Sequence, residues 1–280
     1  MSVSALAPLP AKVPGRGERL KRLTETVSPS RLQCWHRCRL QFYFKYILEL
    51  AKPPTPTIHI GRVAHAVLQA WNMARWRKQR FEIESFKKLF QKDWLERQAD
   101  TVINWKGEQD KQRNLAWAML ETFFAQTPIG MAERPEGVEV PVEADLKSHG
   151  LPTLVGIIDL IRAPGRVVDF KTTQRTPGEE QAPHLHEVQL SSYALMYRDA
   201  AGKKESALEL HHLVRTKQPK LVVMILPPMS NKQELRLLRS IESYAAGLAS
   251  RDFVPSPGFH CFGCEFFNEC RNWSGKETHA

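Results

Sequence analysis

Val167-Val168-Asp169-Phe170-Lys171-Thr172, with Gly156-Ile157-Ile158-Asp159 a short turn upstream, reads as two adjacent strands whose apolar run is interrupted by charge. Strand side chains alternate faces, so Asp169 and Lys171 point the same way, beside Asp159 from the neighbouring strand. A buried charge is costly unless it is paired or bound to metal. Two carboxylates and a lysine on apolar strands are therefore expected to hold a divalent cation and activate a water. An Asp–Lys ion pair at a sheet edge is the plainer alternative that so short a pattern leaves open.

Outward from this centre, residues 138–146, 153–162 and 166–171 read as three successive strands, with turns at Ser148-His149-Gly150 and Ala163-Pro164-Gly165. Residues 184–201 return to helical spacing, 207–215 and 221–226 are two further strand candidates, and 231–250 is a helix. Ahead of Gly137 the pattern is helical throughout. Ser28-Pro29-Ser30 supplies a capping hydroxyl and an early proline for a helical stretch over 31–50, carried by Leu32, Trp35, Leu40, Phe44 and Ile47. Three more helices are expected over 60–78, 82–98 and 109–126, their aromatic stripes reading as core. The order predicts an α/β chain: a central sheet flanked by helices, with a helical N-terminal extension and a cysteine-rich C-terminal tail. The expected divisions are a flexible basic arm (1–27), a helical region (28–136), a core (137–250) and the tail (251–280).

The 280 residues are 42% hydrophobic and 25% charged, ordinary for a folded protein, but the net charge is +10. Ten Lys/Arg against three Glu place +7 of it in residues 1–60. That bias suits a polyanion, nucleic acid or an anionic membrane surface, or else a solvated basic tail. No apolar run approaches the roughly 20 residues needed to span a bilayer, and the proline-broken start does not read as a secretory signal. A cytoplasmic protein with reduced thiols is expected, in which five cysteines suggest metal binding before disulfides.

The ordered set of Gly156–Asp159 and Asp169–Thr172 resembles the core motif of PD-(D/E)XK nucleases, and most of all the RecB-like branch, which includes AddB-type nuclease domains and CRISPR-associated adaptation exonucleases. The likeness runs from about Ser28 to Cys270. It implies a restriction-endonuclease-like core with a mixed sheet. It also implies that His65, in Gly61-Arg62-Val63-Ala64-His65, is a metal ligand on a helix. Asp159 and Asp169 would be the carboxylate ligands, the Phe170 carbonyl would complete the protein share, and oxygen ligands of this kind suit Mg²⁺ or Mn²⁺. Lys171 would orient the attacking water and offset phosphate charge. Gln189 and Tyr193, four apart on one helical face, match the Gln-x-x-x-Tyr pair of that branch, which supports the lysine and contacts the substrate strand. Glu143, on the preceding strand, is a candidate outer acid or a solvated strand position.

Cys261-Phe262-Gly263-Cys264 and Cys270 form C-x2-C-x5-C in the tail. A fourth ligand must come from elsewhere: Cys38 is the first candidate and Cys34 the competing one. The segment from Ser28 through Cys38-Arg39-Leu40-Gln41-Phe42 resembles the N-terminal iron–sulfur segment of these nucleases, although Arg39 stands where family members commonly carry proline. Four thiolates suit a [4Fe–4S] cluster or Zn²⁺. The three-plus-one arrangement, by resemblance, favours a structural cluster.

The expected activity is thus that of a metal-dependent DNA exonuclease with a preference for single-stranded ends. Arg31, Arg37 and Arg39 would grip phosphates, and Trp35 and Phe42 would either stack on unpaired bases or belong to the core. The rival reading is a non-catalytic DNA-binding subunit of a helicase–nuclease or CRISPR adaptation complex. No phosphate-binding Gly-rich loop with Lys-Ser/Thr is present, so any helicase partner would be a separate chain.

Overall fold

The structure, a computed structural model, describes residues 15–80 and 82–275. Residues 1–14 of the expected arm lie outside them. The rest of that arm is ordered into α1 (Arg16–Glu25) and β1 (Thr26–Val27), in contrast to the flexible segment expected from its composition. Leu23 and Val27 supply the reason, since both are buried apolar anchors.

Ser28 caps α2 (Pro29–Arg37) through its hydroxyl, which accepts from the Arg31 amide, with Pro29 in the first turn. A short α3 (Arg39–Phe42) runs on into a π turn over Tyr43–Ile47. Then follow α4 (Pro56–Trp76), α5 (Ile83–Glu96) and α6 (Gln109–Gln126). The strands are β2 (Gly137–Ala144), β3 (Thr153–Arg162) and β4 (Arg166–Thr173), and after α7 (Gln181–Leu185) and α8 (Glu187–Ala201) come β5 (Ala207–Val214) and β6 (Lys220–Leu226). The chain continues through α9 (Asn231–Ala249), held at its start by a Ser230/Gln233 capping box, and α10 (Phe267–Arg271) in the tail.

Two apolar cores sandwich the sheet. On one face α1, α2, α3, α8, α9 and the tail pack around Trp35, Phe42, Ile158, Met196, Tyr244 and Phe266. On the other, α4, α5 and α6 pack around Trp71, Phe90, Phe123, Leu160 and Phe170. The helical N-terminal region therefore divides between the two layers.

The site is positioned by a splay within the sheet. Leu154 pairs with Ala144 on one side and Val27 on the other, while Leu160 pairs with Val138 and with Val168. So β1 and β4 share the same side of β3 but at opposite ends. The β3–β4 ladder stops at Leu160–Val168, and β4 goes on in parallel pairing with β5 from Arg166 to Thr173. Between β1 and the end of that ladder, residues 155–159 face a wedge. The sheet is thus mixed, with β5 at its buried interior paired to β4 in parallel and to β6 antiparallel.

Candidate active site

In the wedge, the Asp159 carboxylate takes the place of a backbone partner: the Phe170 amide donates to its Oδ2 at 2.9 Å. Val168 and Phe170 point into the α4–α6 core, and Val167 points into the other. Asp169 and Lys171 consequently face α8, as the alternation predicts. Asp169 is 1% exposed, and its Oδ2 lies 2.7 Å from Lys171 Nζ. Gln189, on α8, donates from Nε2 to Asp169 Oδ1 at 2.9 Å and accepts from Lys171 Nζ at 2.8 Å. The same amide reaches the Tyr193 hydroxyl at 3.0 Å. Burial, and then the carboxylates Asp169 and Asp159, push the Tyr193 phenol well up, so it stays neutral. Burial also raises the Asp169 carboxyl against the pull of Lys171, and Asp159 adds to the rise.

His65 arrives from the opposite layer. Its helix, α4, rides close over the end of β4: a Cβ on Gly61 would sit 3.3 Å from Thr172 Oγ1. On the other face Gly156 admits α8, where a Cβ would meet Met196 Cε at 2.7 Å. His65 Nδ1 stands 3.7 Å from Asp159 Oδ2, beyond a hydrogen bond. The wedge lets His65, from the α4 layer, come up to Asp159 on β3.

A third acid joins them. Ligand atoms of His65, Glu139 and Asp159 all lie within 4.8 Å of one another. Glu139 stands opposite Asp159 in the β2–β3 register and has φ 48°, a left-handed backbone that costs a non-glycine residue about 1–2 kcal/mol. Both strands invert their pleat here: Val138 packs on one core and Val140 on the other, and Leu160 and Ile158 do the same. Burial, then the neighbouring Asp159, raise the Glu139 carboxyl to about 7. Glu143, read as a candidate outer acid or a solvated strand position, is exposed on the same strand. Regular alternation puts 139 and 143 on one face, so the sequence carries no sign of the inversion that swings Glu139 inward. Two histidines were also missed. His212 is in register with Lys171 on β5, and His186 lies against it with ring centroids 5.5 Å apart. Burial and then the Lys171 charge lower both to about 4, so neither adds positive charge near neutral pH.

A model of the PD-(D/E)XK nuclease superfamily matches residues 26–271, nearly the whole chain. The chain belongs to that superfamily. Among solved structures, the crystal structure named "Putative exonuclease" from Eubacterium rectale is similar at 12% identity and TM-score 0.61, covering 93% of this chain and 92% of that one, a likeness in fold. The crystal structure of SSO0001 is similar at 12% identity and TM-score 0.45, covering 92% and 94%. No curated protein matches.

Members of this superfamily commonly use divalent cations, and the residues here fit one. Asp169 Oδ2 is buried without a hydrogen-bond partner and stands 2.7 Å from the Lys171 amine in an ion pair. Next to that pair, His65, Glu139 and Asp159 offer ligand atoms within 4.8 Å of one another.

The cysteines of this nuclease-fold chain also converge. Cys38, Cys261, Cys264 and Cys270 line one cavity, and Cys34 is not among its lining residues. Amide N–H groups of Gln41 and Gly258 point at the sulfurs of Cys38 and Cys261, at 3.5 and 3.4 Å. Burial, followed by the charges of the other cysteines, pushes the Cys270 thiol up. Of the three arginines expected to grip phosphates two are engaged within the fold, and of the two readings of Trp35 and Phe42 the core one holds. Arg31 is spent on the Thr26 carbonyl and hydroxyl, and Arg39 on Asp252 and the face of Trp35, leaving Arg37 as the exposed one of the three. Trp35 and Phe42 are fully buried and belong to the core. No helix among the described residues is long and apolar enough to cross a membrane.

Proposed function

We propose that this chain is a metal-dependent DNA exonuclease of the RecB-like branch. The observation that carries the reading is the wedge between β3 and β4, where Asp159, Asp169 and Lys171 meet His65 from α4. His65, Asp159, Asp169 and the Phe170 carbonyl would hold Mg²⁺ or Mn²⁺. When bound, such a cation lowers the pKa of a coordinated water and offsets charge on phosphate oxygens. Lys171, fixed between Asp169 and Gln189, orients that water and faces the charge that develops on the phosphate. Tyr193 fixes Gln189 in turn.

The net charge of +10 supports a polyanionic substrate gripped through its phosphates without regard to base sequence. Single-stranded DNA ends are the favoured form. The four-cysteine cavity is read as the seat of a [4Fe–4S] cluster. A zinc tetrahedron with bonds near 2.3 Å sets its sulfurs about 3.8 Å apart. Either group takes four thiolates, and the three-plus-one arrangement of the cysteines favours the cluster by resemblance.

The test uses end-labelled linear and covalently circular single-stranded DNA, duplex DNA and RNA, with Mg²⁺ or Mn²⁺ and with EDTA. Degradation of linear single strands only with metal, sparing circles, is expected. Failure to cleave any substrate would leave the rival reading of a DNA-binding subunit. Iron and sulfide analysis of anaerobically purified protein tests the cluster, and a zinc-loaded, iron-free active protein would remove it.

A further inference from the structure

We propose that Glu139 is a protein ligand of the divalent cation, closing with His65 and Asp159 a three-sided cage between α4, β2 and β3. The inference rests on the metal-dependent reading above and assigns that centre a carboxylate that neither the sequence motif nor the comparisons indicate.

Three observations lead to it. First, the ligand atoms of Glu139, His65 and Asp159 lie mutually within 4.8 Å, although they come from three different elements. Second, the backbone is arranged to put Glu139 there. It sits inside a strand at φ 48°, directly across from Asp159, where the pleats of β2 and β3 invert together. Glycine would take that conformation without strain, and a glutamate held in it is the kind of outlier that a surrounding structure maintains for a site. Third, Asp169, 1% exposed, keeps Oδ2 without a hydrogen-bond partner, with the Lys171 amine 2.7 Å away in an ion pair. Its other oxygen is taken by Gln189. Lys171 is thus committed to Asp169 and Gln189, and the Glu139 and Asp159 carboxylates are left with His65 beside them.

The arrangement divides the work among the acids. Asp169 positions Lys171 and Gln189, Asp159 links the two halves of the wedge, and Glu139 with His65 closes the far side. Oxygen ligands in that number, with one imidazole, fit Mn²⁺ or Mg²⁺.

The test is Mn²⁺ titration of the full chain, followed by electron paramagnetic resonance and by calorimetry, on wild type, Glu139→Gln, Glu139→Gly and Asp159→Asn. Glu139→Gln keeps the shape and removes the charge, while Glu139→Gly also removes the backbone strain. Both are expected to weaken Mn²⁺ binding at least about 10-fold. Metal-free Glu139→Gly is expected to melt at a higher temperature than metal-free Glu139→Gln, which keeps a folded variant in hand. Wild-type affinity in Glu139→Gln alongside loss in Asp159→Asn overturns the role of Glu139 and leaves the metal-dependent reading standing. Absence of Mn²⁺ binding by the wild type overturns both.

Discussion

Lys171 is held at 2.7 Å from Asp169 and 2.8 Å from Gln189, so its amine is fixed before any substrate arrives. Lys171→Ala removes the one cation among the acids and is expected to lower the cleavage rate by about 10²-fold or more. DNA affinity, read by fluorescence anisotropy, should change little if exposed basic residues elsewhere carry the phosphate contacts, as the net charge of +10 suggests. A fully active alanine variant would end the assignment. Gln189→Ala loosens the lysine without deleting it, so a smaller loss of kcat with KM nearly unchanged is expected from the same assay. Asp159, Asp169 and Lys171 could be read from the sequence because charge inside an apolar strand needs a reason. Glu139 could not, since its position follows from a left-handed backbone that glutamate does not advertise.

Strands β3 and β4 are parted at the site, and at the other end they are clamped together with β5. There Arg162 grips Glu133 through two bonds of 2.7 Å and Glu209 at 2.8 Å, with Arg166 and His211 also on Glu209. Burial alone would raise the Glu209 carboxyl, but the His211 and Arg162 bonds outweigh it and hold it down to about 2. The folded value lies below the ordinary 4.5. The ionised group therefore contributes stability that is present above that pH and drains away as the pH falls towards 2. Glu209→Ala leaves His211 buried without its partner and Arg162 with Glu133 alone, and should cost about 3–5 kcal/mol in chemical denaturation. The variant should also show a flatter loss of stability in that acid window. Helix α9 offers a test of packing with an inverted sign. Gly→Ala inside a helix ordinarily stabilises by about 1 kcal/mol. At Gly247 a Cβ would lie 2.2 Å from the ring of Trp35, which is fully buried. Gly247→Ala is expected to destabilise by about 1–3 kcal/mol, measured by urea unfolding, as overpacked cores do. The periodicity of α9 is plain in the sequence, but this contact is not, because nothing in a helical stripe says which neighbour crosses at its glycine.

The two ends of the chain come together over a distance that the sequence hides. Helices 109–126 and strand 153–162 were readable to the residue from their periods. The two-residue β1 is too short to carry a period, yet its parallel pairing with β3 is what draws the N-terminal segment into the sheet. From there α2 delivers Cys38 to the tail cysteines, while Cys34, one turn earlier on the same helix, is buried away from the cavity. Joining Cys38 to Cys261 through a cluster closes most of the chain into one loop, for which an entropic stabilisation on the order of 5 kcal/mol follows by analogy with a disulfide. That figure is an upper bound, because the loop is already partly closed: the Leu40 amide donates to the Val254 carbonyl at 3.1 Å, and Phe44 packs on Phe266 at 5.8 Å. Cys38→Ser is therefore expected to lose the iron and to lower stability by about 2–4 kcal/mol rather than to unfold the protein. Cys34→Ser should keep a full complement of iron and the same colour. Iron content and thermal unfolding of the two variants, side by side, decide it. A Cys34→Ser protein without iron beside an iron-replete Cys38→Ser would show that the chain is pinned one helical turn away from where the cavity places it.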